Sequence, residues 1–287
     1  MHHKTGLVME GGAMRGLFTI GVLDVLMEHN ITFDGAMGVS AGATFGCNFK
    51  SKQIGRGLRY NLNYGKDPRY CSIQSLITTG DLYGAKFCYD EIPNKLDPFD
   101  LETYQANPMP FYVVCTNIET GKAIHWRMDT GTGKDMEYLR ASASMPVVSR
   151  IVEVDGYKLL DGGIVDMIPV GSMERRGYDK NVVILTQPLG FVKKKSGILP
   201  LVRTVLRDYP ALIHAMEIRH LRYNWQTEYA RKQELAGNAF VIRPPYSLGI
   251  GRTENDPEEL QRVYDIGRAE MEKRLEELKE FLAQAKE

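Results

Sequence analysis

The sequence predicts an α/β fold in which helices cover both faces of a parallel sheet. Three patterns in the first 50 residues predict it. Residues 6–10 (GLVME) and residues 35–39 (GAMGV) are short apolar runs typical of strands. Between them, apolar residues recur at the spacing of a helix packed on a sheet: Phe18, Val22, Val25 and Leu26. A strand, a helix and a strand in succession form a βαβ unit, which pairs its strands in parallel.

The composition indicates a globular protein and excludes several other classes. The chain has 287 residues, of which 43% are hydrophobic and 25% charged, so it forms one large domain or two modest ones. Basic and acidic residues number 36 each, so net charge does not attract it to nucleic acid. The longest uncharged stretch, residues 103–118, has 16 residues and contains Pro108 and Pro110. No segment therefore reads as a membrane span.

The cysteines and the N-terminus favour a reducing cellular location, and the sequence shows no metal-binding motif. The four cysteines are scattered and form no CxxC pair, which disfavours a disulfide framework and a zinc ribbon. There is no HExxH motif or clustered ligand set, so we expect no metal site. The N-terminus, MHHKTGLVMEGG, lacks the apolar core of a signal peptide. We therefore expect a cytoplasmic protein.

Further elements follow along the chain. We expect the first helix to end near Asn30, a residue that tolerates the left-handed conformation. Residues 51–110 are rich in Tyr, Asn, Gly and Pro and predict helices and loops that form a cap beside the sheet. The remaining predictions are strands at 111–117 and 123–128, a helix at 135–144, a hairpin of 151–154 and 157–160 around Asp155-Gly156, and a last buried strand at 182–185.

The C-terminal part differs from the rest in charge. Residues 193–232 hold nine basic and three acidic residues, a local excess of six positive charges, with apolar residues among them. This pattern suits docking on an anionic lipid surface, and it also fits a solvated helix face with a buried stripe. Residues 253–287 have an excess of five negative charges. Asp256 as N-cap and Pro257 at the first position predict the start of a final helix.

The first motif with chemical meaning is a glycine-rich turn between the first strand and the first helix, EGGAMRG. Gly11 and Gly12 allow backbone N–H groups to point into one concavity, which suits a phosphate or the oxyanion of acyl transfer. A P-loop requires Lys and Ser or Thr where this chain has Leu17 and Phe18. A dinucleotide loop requires glycine where the chain has Ala13.

The second motif is GVSAG, which comprises Gly38, Ser40 and Gly42 at a predicted strand-to-helix turn. In such an elbow the serine is held on a sharp turn above the sheet, and its neighbours must be small. The motif also fits a tight turn with a capping serine. A serine nucleophile needs a base, and the two histidines that follow late enough, His214 and His220, lie in helical basic sequence.

The third motif, Asp161-Gly162-Gly163, offers a different base. It follows the second strand of the predicted hairpin directly, so it places a carboxylate at the end of a rigid strand. The two glycines leave open space around that carboxylate. A solvated turn aspartate would produce the same pattern.

The three motifs together resemble the patatin-like phospholipase family. EGGAMRG, GVSAG 22 residues after Gly16, and DGG about 120 residues further on occur in the family's order, and ASASMPVV at residues 141–148 resembles its helix ending in proline. The resemblance implies a three-layer αβα fold with a mostly parallel central sheet. It implies an acyl hydrolase domain at 1–192, with 51–110 as the cap. Residues 193–287 would form a mainly helical C-terminal extension packed on that domain.

The resemblance also implies roles for the motif residues. Ser40 would be the nucleophile and Asp161 its general base, in a Ser–Asp dyad without histidine. The N–H groups of Gly11, Gly12 and Ala13 would hold the oxyanion, and Arg15 would brace the loop or meet a phosphate. The family usually has a third glycine in place of Ala13, so the oxyanion role at this position requires a negative φ. The motif glycines Gly38, Gly42, Gly162 and Gly163 would shape the elbow and the dyad, and no cofactor is needed.

We therefore interpret the chain as a serine acyl hydrolase that cleaves carboxylic esters of phospholipids or related lipids through an acyl-enzyme, with the acyl chain in the cap region. Its partners would be the lipid substrate and, through residues 193–232, the membrane periphery; no nucleic acid is expected. Two alternatives remain: a nucleotide- or phosphate-binding protein that uses the glycine loop, and a lipid-binding protein without catalysis. The sequence does not specify the oligomeric state.

Overall fold

A single sheet of eight strands runs through the computed structural model, which describes residues 3–284. The strands are β1 (Lys4–Met9), β2 (Gly35–Val39), β3 (Phe111–Asn117), β4 (Lys122–Arg127), β5 (Val152–Val154), β6 (Tyr157–Asp161), β7 (Tyr178–Ile184) and β8 (Ala239–Ile242). Their order is β5-β6-β3-β2-β1-β7-β8, and β4 pairs with β3 outside this path. Neighbouring strands in the run β3-β2-β1-β7-β8 are parallel, whereas β4, β5 and β6 form antiparallel pairs.

The helices lie between and after these strands. They are α1 (Gly16–Glu28), α2 (Ala41–Lys50), α3 (Arg56–Tyr64), α4 (Ile73–Thr79), α5 (Leu101–Ala106), α6 (Lys134–Ser142), α7 (Val170–Glu174), α8 (Leu199–Val205), α9 (Pro210–Leu235), α10 (Pro257–Lys273) and α11 (Leu275–Gln284). A π-helical segment, Phe87–Leu96, lies between α4 and α5. None of the helices within residues 3–284 has both the length and the apolar character needed to cross a membrane.

Both faces of the sheet are buried, and side chains alternate between them along each strand. In β1, Leu7 and Met9 pack into the core formed with α1, α2 and α10. Val8 points to the opposite face, where it packs with residues of α7 and α9. The predicted three-layer αβα fold with a mostly parallel central sheet is confirmed, as is a helical C-terminal part.

Several local predictions are confirmed as well. Asn30 has a φ of 53° just after α1, and it ends that helix in the left-handed conformation. Asp155 and Gly156 have φ values of 50° and 78°, as a type I′ turn requires, and they join β5 to β6. The Asp256 side chain accepts a hydrogen bond from the Glu258 N–H and caps α10. Residues 51–110 form helices and loops, as expected.

The prediction that residues 182–185 form the last strand is wrong. The chain returns to the sheet after α9, where β8 pairs in parallel with β7 from Asn181 and Ala239 onward. β8 contains only four residues, AFVI, and all four are buried. A short apolar run that follows a helix cannot be distinguished from helical sequence by periodicity, so tertiary pairing decides it.

The C-terminal helix α10 is fixed on α1 by two glycines. A Cβ atom on Gly21 of α1 would lie 2.2 Å from the carbonyl oxygen of Tyr264, and one on Gly267 of α10 would lie 2.1 Å from that of Phe18. The two helix backbones therefore approach each other more closely than any side chain allows. This contact joins the C-terminal part to the helix that follows the glycine-rich turn.

Candidate active site

Ser40 lies at the sharp turn between β2 and α2. Its backbone has φ 54° and ψ −124°, a sparsely populated conformation that costs about 1–3 kcal/mol. The Ser40 N–H donates to Oγ of Ser142 (2.9 Å), whose hydroxyl donates to the Val114 carbonyl oxygen (2.6 Å). These bonds hold the strained turn in place. The predicted strand–turn–helix placement of the GVSAG motif is therefore confirmed.

The glycines of this elbow are needed for close backbone approach. A Cβ atom on Gly38 would lie 2.5 Å from the Gly42 carbonyl oxygen. One on Gly42 would lie 2.4 Å from the carbonyl oxygen of Met9 at the end of β1. Because the neighbours are backbone atoms, no side-chain rotation could relieve these contacts.

Asp161 lies at the end of β6, in hydrogen-bond contact with Ser40. The Ser40 hydroxyl donates to Oδ2 of Asp161 at 2.7 Å, and the Gly163 N–H donates to Oδ1 at 2.6 Å. The Asp161 backbone is fixed from both sides, since its N–H donates to the Ser144 carbonyl oxygen (2.8 Å) and its carbonyl oxygen accepts from Oγ1 of Thr116 (2.8 Å). The structure thus brings together two residues that are 121 positions apart in the chain.

Burial makes the Asp161 carboxylate more basic. Only 8% of the residue is exposed, and the loss of solvent raises its pKa above the usual range. The hydrogen bonds from Ser40 and Gly163, and then the charges of Arg219 and Arg252, oppose that rise. A carboxylate with a raised pKa is a better proton acceptor for a hydroxyl than an ordinary solvated aspartate.

The two glycines after Asp161 also lie where side chains do not fit. A Cβ atom on Gly162 would lie 2.1 Å from the Val114 carbonyl oxygen, so this glycine allows the end of β6 to meet β3. One on Gly163 would lie 2.9 Å from Oδ1 of Asp161 itself. A side chain at Gly163 would therefore compete with the hydrogen bond that orients the carboxylate.

The glycine-rich turn runs directly beside Ser40. A Cβ atom on Gly11 would lie 2.8 Å from Cβ of Ser40, so the turn passes within contact distance of that hydroxyl-bearing side chain. Within residues 3–284, the N–H groups of Gly11 and Gly12 have no acceptor. Ala13 has a φ of 49°, so the negative φ on which its oxyanion role depended is not met. Alanine adopts this left-handed conformation at a cost of about 1–2 kcal/mol relative to glycine.

The turn is held by Glu10, which the sequence motifs did not single out. Glu10 is 2% exposed, and it accepts hydrogen bonds from the Thr186 N–H (2.7 Å) and the Tyr223 hydroxyl (2.8 Å). Arg15 lies along the same turn, because one of its terminal nitrogens is 3.3 Å from the Cβ position of Gly12. Its Nε is buried and has no partner within the described part of the chain.

Two pockets meet at Ser40, and both also include Ala13 and Met145. The apolar pocket, of about 120 Å³, extends between α2, α6 and the cap; its lining includes Met14, Phe45, Tyr60, Tyr89, Ile92, Met136 and Leu139. The basic pocket, of about 290 Å³, contains Asp161 and lies toward the C-terminal part; its charged and polar lining includes Arg15, Lys193, Arg219, Tyr223 and Arg252. An elongated ligand with one apolar end and one anionic end would have its middle at Ser40.

No histidine lines either pocket at Ser40. His125 on β4 is engaged elsewhere, since its Nε2 lies 2.8 Å from Oδ2 of Asp166. Among residues 3–284, no three His, Cys, Asp or Glu side chains are grouped so that they could hold a metal ion. Among the ionisable side chains of residues 3–284, Asp161 is the one that accepts a hydrogen bond from the Ser40 hydroxyl.

Two family models match separate parts of the chain. The family model of patatin-like phospholipase matches residues 7–173, which include Ser40, Asp161 and the glycine-rich turn. A second family model, that of a domain of unknown function (DUF6363), matches residues 209–283. The second range includes α9, β8, α10 and most of α11. Within this range, α9 and the residues just before α10 line the basic pocket.

Individual relatives are more distant. "Uncharacterized protein YjjU" of Escherichia coli is 30% identical over 190 residues, which are 64% of this chain and 52% of that protein. "Lysophospholipase NTE1" of Kluyveromyces lactis is 25% identical over 283 residues, which are 92% of this chain and 18% of that protein. The solved structure of VipD from Legionella pneumophila aligns with 99% of this chain and 67% of its own, at a TM-score of 0.47 and 13% identity.

The chain spans about half the length of the Escherichia coli relative and under a fifth of the yeast lysophospholipase. The phospholipase model nevertheless covers more than half of this chain. The chain therefore belongs to the patatin-like phospholipase family, a family of lipid hydrolases.

Proposed function

We propose that the chain is a lipid acyl hydrolase of the phospholipase A or lysophospholipase type, with Ser40 as nucleophile and Asp161 as general base. The observation that carries the proposal is the 2.7 Å hydrogen bond from the Ser40 hydroxyl to the buried Asp161 carboxylate, at the junction of an apolar and a basic pocket. Membership in a family of phospholipases and the lysophospholipase relative support it.

The first half of the reaction is acylation. Asp161 Oδ2 accepts the hydroxyl proton while Ser40 Oγ attacks the ester carbonyl carbon, which gives a tetrahedral intermediate with a negative oxygen. The intermediate then breaks its bond to the leaving alcohol, and protonated Asp161 donates the proton to that alcohol. The products of this half are the free alcohol and an acyl ester on Ser40.

The second half is deacylation by water. Asp161 accepts a proton from a water molecule whose oxygen attacks the acyl carbon. The new tetrahedral intermediate breaks its bond to Ser40 Oγ, which takes the proton back from Asp161. A fatty acid leaves, and the hydrogen bond between the two residues is restored.

The glycine-rich turn supplies the donors for both tetrahedral intermediates. The N–H groups of Gly11 and Gly12 have no acceptor among the described residues, and the turn lies against the side chain of Ser40. Backbone donors that are already in place stabilise a developing oxyanion without rearranging, an effect worth about 3–4 kcal/mol per donor. Glu10 keeps the turn in this position through its bonds to Thr186 and Tyr223.

The direct test is the release of fatty acid. Purified protein is incubated with a lysophospholipid in micelles, and free fatty acid is quantified by mass spectrometry against an Ser40→Ala control. We expect release by the wild type and background release by the variant. Binding of the lipid without release would instead favour the alternative of a lipid-binding protein without catalysis.

The apolar pocket is the proposed site of the acyl chain. Ala143 lines it at the end of α6, and we expect Ala143→Leu to lower kcat/KM about tenfold for the longest p-nitrophenyl esters while short esters react as before. Ala269→Leu, at an exposed position of α10, is the matched control and should leave the chain-length profile unchanged. An unchanged profile in Ala143→Leu would place the acyl chain elsewhere.

We also propose contact with anionic membrane through the segment around α8. Ile198, Leu201 and Val205 are exposed by 40%, 50% and 54%, and the exposed Lys194 and Lys195 precede them. Apolar side chains beside cations are the composition of a surface-docking helix. The segment also borders the basic pocket, since Ile198 and Leu201 line it. Docking there would bring a lipid near the pocket.

Sedimentation with vesicles tests this contact. We expect Val205→Glu to reduce the fraction bound to phosphatidylglycerol vesicles about tenfold, because it removes apolar contact and adds a repelled charge. Leu235→Glu, at the end of α9 where the side chain is 75% exposed, should bind as the wild type does. Equal binding of both variants, or wild-type binding that is no stronger than to phosphatidylcholine vesicles, would contradict the proposed contact.

A further inference from the structure

The basic pocket has four cationic side chains that lack anionic partners. Arg15, Lys193, Arg219 and Arg252 line it, and none of them forms a salt bridge with any acidic residue in the described range. By contrast, the buried Arg56 is paired with Asp97. Unpaired cations that converge on one cavity indicate a place for an anion that is not part of the chain.

The two carboxylates in this pocket are already engaged. Glu10 accepts bonds from Thr186 and Tyr223, one on each oxygen. Asp161 accepts bonds from Ser40 and Gly163, again one on each oxygen. Each carboxylate oxygen thus has its own neutral donor, and the positive charges in the pocket exceed the negative ones by two.

The cations also disfavour one another. The pKa of Lys193 is lowered to about 8, first by burial and then by the charge of Arg219. The charge of Glu10 opposes this shift, and Arg15 and Arg252 add smaller contributions to it. Burial lowers the pKa of Arg219 as well, and the charges of Arg252 and Arg15 act in the same direction while Asp161 opposes them. Nε of Arg15 is buried without a partner. A bound anion would relieve the repulsion and satisfy the free donors.

We propose that the basic pocket binds the phosphate of a phospholipid headgroup, so that Lys193, Arg219 and Arg252 select phosphorylated acyl esters over neutral acylglycerols. The proposal rests on the proposed hydrolase function and assigns its substrate class. With the acyl chain in the apolar pocket and the phosphate in the basic one, the ester carbonyl of such a lipid lies at Ser40, which both pockets share.

The pocket fits an anionic headgroup better than a phosphocholine. A quaternary amine needs a free carboxylate or an open aromatic face. Both carboxylates are engaged, and the ring of Tyr223 is covered by Nζ of Lys193 at 4.2 Å from its centroid. We therefore expect an exposed phosphate monoester to be the best headgroup.

The three selecting cations come from outside the matched phospholipase region. Lys193 follows β7, Arg219 lies on α9 and Arg252 precedes α10, whereas the phospholipase model ends at residue 173. Arg219 is oriented by the bond that its Nε donates to the Gly163 carbonyl oxygen, two residues from Asp161. The C-terminal part thereby contributes to the choice of substrate while the matched region carries the reacting groups.

A chain-matched substrate pair tests the proposal. 1-Oleoyl-glycerol and 1-oleoyl-glycerol 3-phosphate are compared in the same non-ionic micelles, and kcat/KM is measured for the wild type, Lys193→Gln and Arg252→Gln. We expect the wild type to prefer the phosphorylated ester. Each variant should lose at least about tenfold more in kcat/KM on the phosphorylated ester than on the neutral one. Arg127→Gln, which removes an exposed cation on β4, is the control and should change neither value.

The outcomes distinguish a failure of the headgroup assignment from a failure of the proposed hydrolase function. Hydrolysis of both esters without a preference, or equal losses on both in the variants, would overturn the headgroup assignment and leave the hydrolase standing. Hydrolysis of neither ester would contradict the proposed function. In that case, calorimetry with Ser40→Ala still tests the subsite. The proposal requires that this variant bind 1-oleoyl-glycerol 3-phosphate and that the additional change Arg252→Gln weaken the binding. If inorganic phosphate inhibited the enzyme as strongly as the lipid does, the pocket would be assigned to free phosphate and the proposal would be overturned.

Discussion

Ser40→Ala and Asp161→Asn should each lower kcat/KM for p-nitrophenyl esters roughly 10²-fold or more. Ser40→Ala removes the atom that forms the acyl ester. Asp161→Asn keeps the shape of the side chain but removes the proton acceptor that lies 2.7 Å from the Ser40 hydroxyl. The measurement is hydrolysis of esters of rising chain length by the wild type and both variants at neutral pH.

The folding of Asp161→Asn is the control for that result. Because burial raises the pKa of Asp161 in the folded protein above its unfolded value, the carboxyl group favours folding most at low pH, and this contribution is lost as the pH rises through the folded pKa. At neutral pH the ionised, buried carboxylate opposes folding, and a neutral amide removes that charge. We therefore expect a Tm close to or above that of the wild type. If Asp161→Asn retained its rate, Asp161 would not be the base and the proposed dyad would be wrong.

Gly42→Ala should destabilise the protein by about 3 kcal/mol and abolish most of its ester hydrolysis. The added Cβ atom would lie 2.4 Å from the Met9 carbonyl oxygen and 2.7 Å from that of Glu10. The backbone at the end of β1 leads directly into the glycine-rich turn. Moving it away from α2 would separate the oxyanion donors from Ser40. Thermal unfolding and ester hydrolysis measure the two effects.

Gly171→Ala is the matched control for a glycine within a helix. The nearest atom to its Cβ position is a terminal nitrogen of Arg175 at 3.5 Å, an ordinary contact, and its φ is not positive. We expect this variant to be as stable as the wild type or slightly more stable, because alanine has the higher helix propensity. If Gly42→Ala behaved in the same way, the close packing of the elbow on β1 would be disproved.

Local patterns predicted much of the fold because they are set by neighbouring residues. The stripe of Phe18 and its partners predicts α1 through helical periodicity, and Asp155-Gly156 predicts the hairpin because that pair adopts a positive φ at both positions. The order of the three motifs identified Ser40 and Asp161 as candidates. The hydrogen bond between the two residues required the structure, since 121 positions separate them.

The features that the sequence did not predict depend on distant contacts. Glu10 is a buried support of the glycine-rich turn because Tyr223, more than 200 residues later, reaches its carboxylate. In the sequence, Arg219 is one of several cations in a helical segment. Its position beside Asp161 depends on how α9 packs on the sheet. Ala13 adopts a positive φ because the turn around it is fixed from both sides, which overrides the preference of alanine.

The division of the chain between residues 192 and 193 stays a prediction, and β8 from the later part completes the sheet. The cytoplasmic location stays a prediction as well. Neither affects the proposed chemistry, which depends on Ser40, Asp161 and the glycine-rich turn.

The most direct test of the proposed chemistry is covalent labelling of Ser40. A fluorophosphonate reacts with an activated serine and leaves a stable phosphonyl ester, which peptide mapping by mass spectrometry assigns to one residue. The proposed function predicts a single adduct on Ser40, absent in Ser40→Ala and formed much more slowly in Asp161→Asn. Esterase activity that survives without an adduct on Ser40, or an adduct on a different serine, would contradict it.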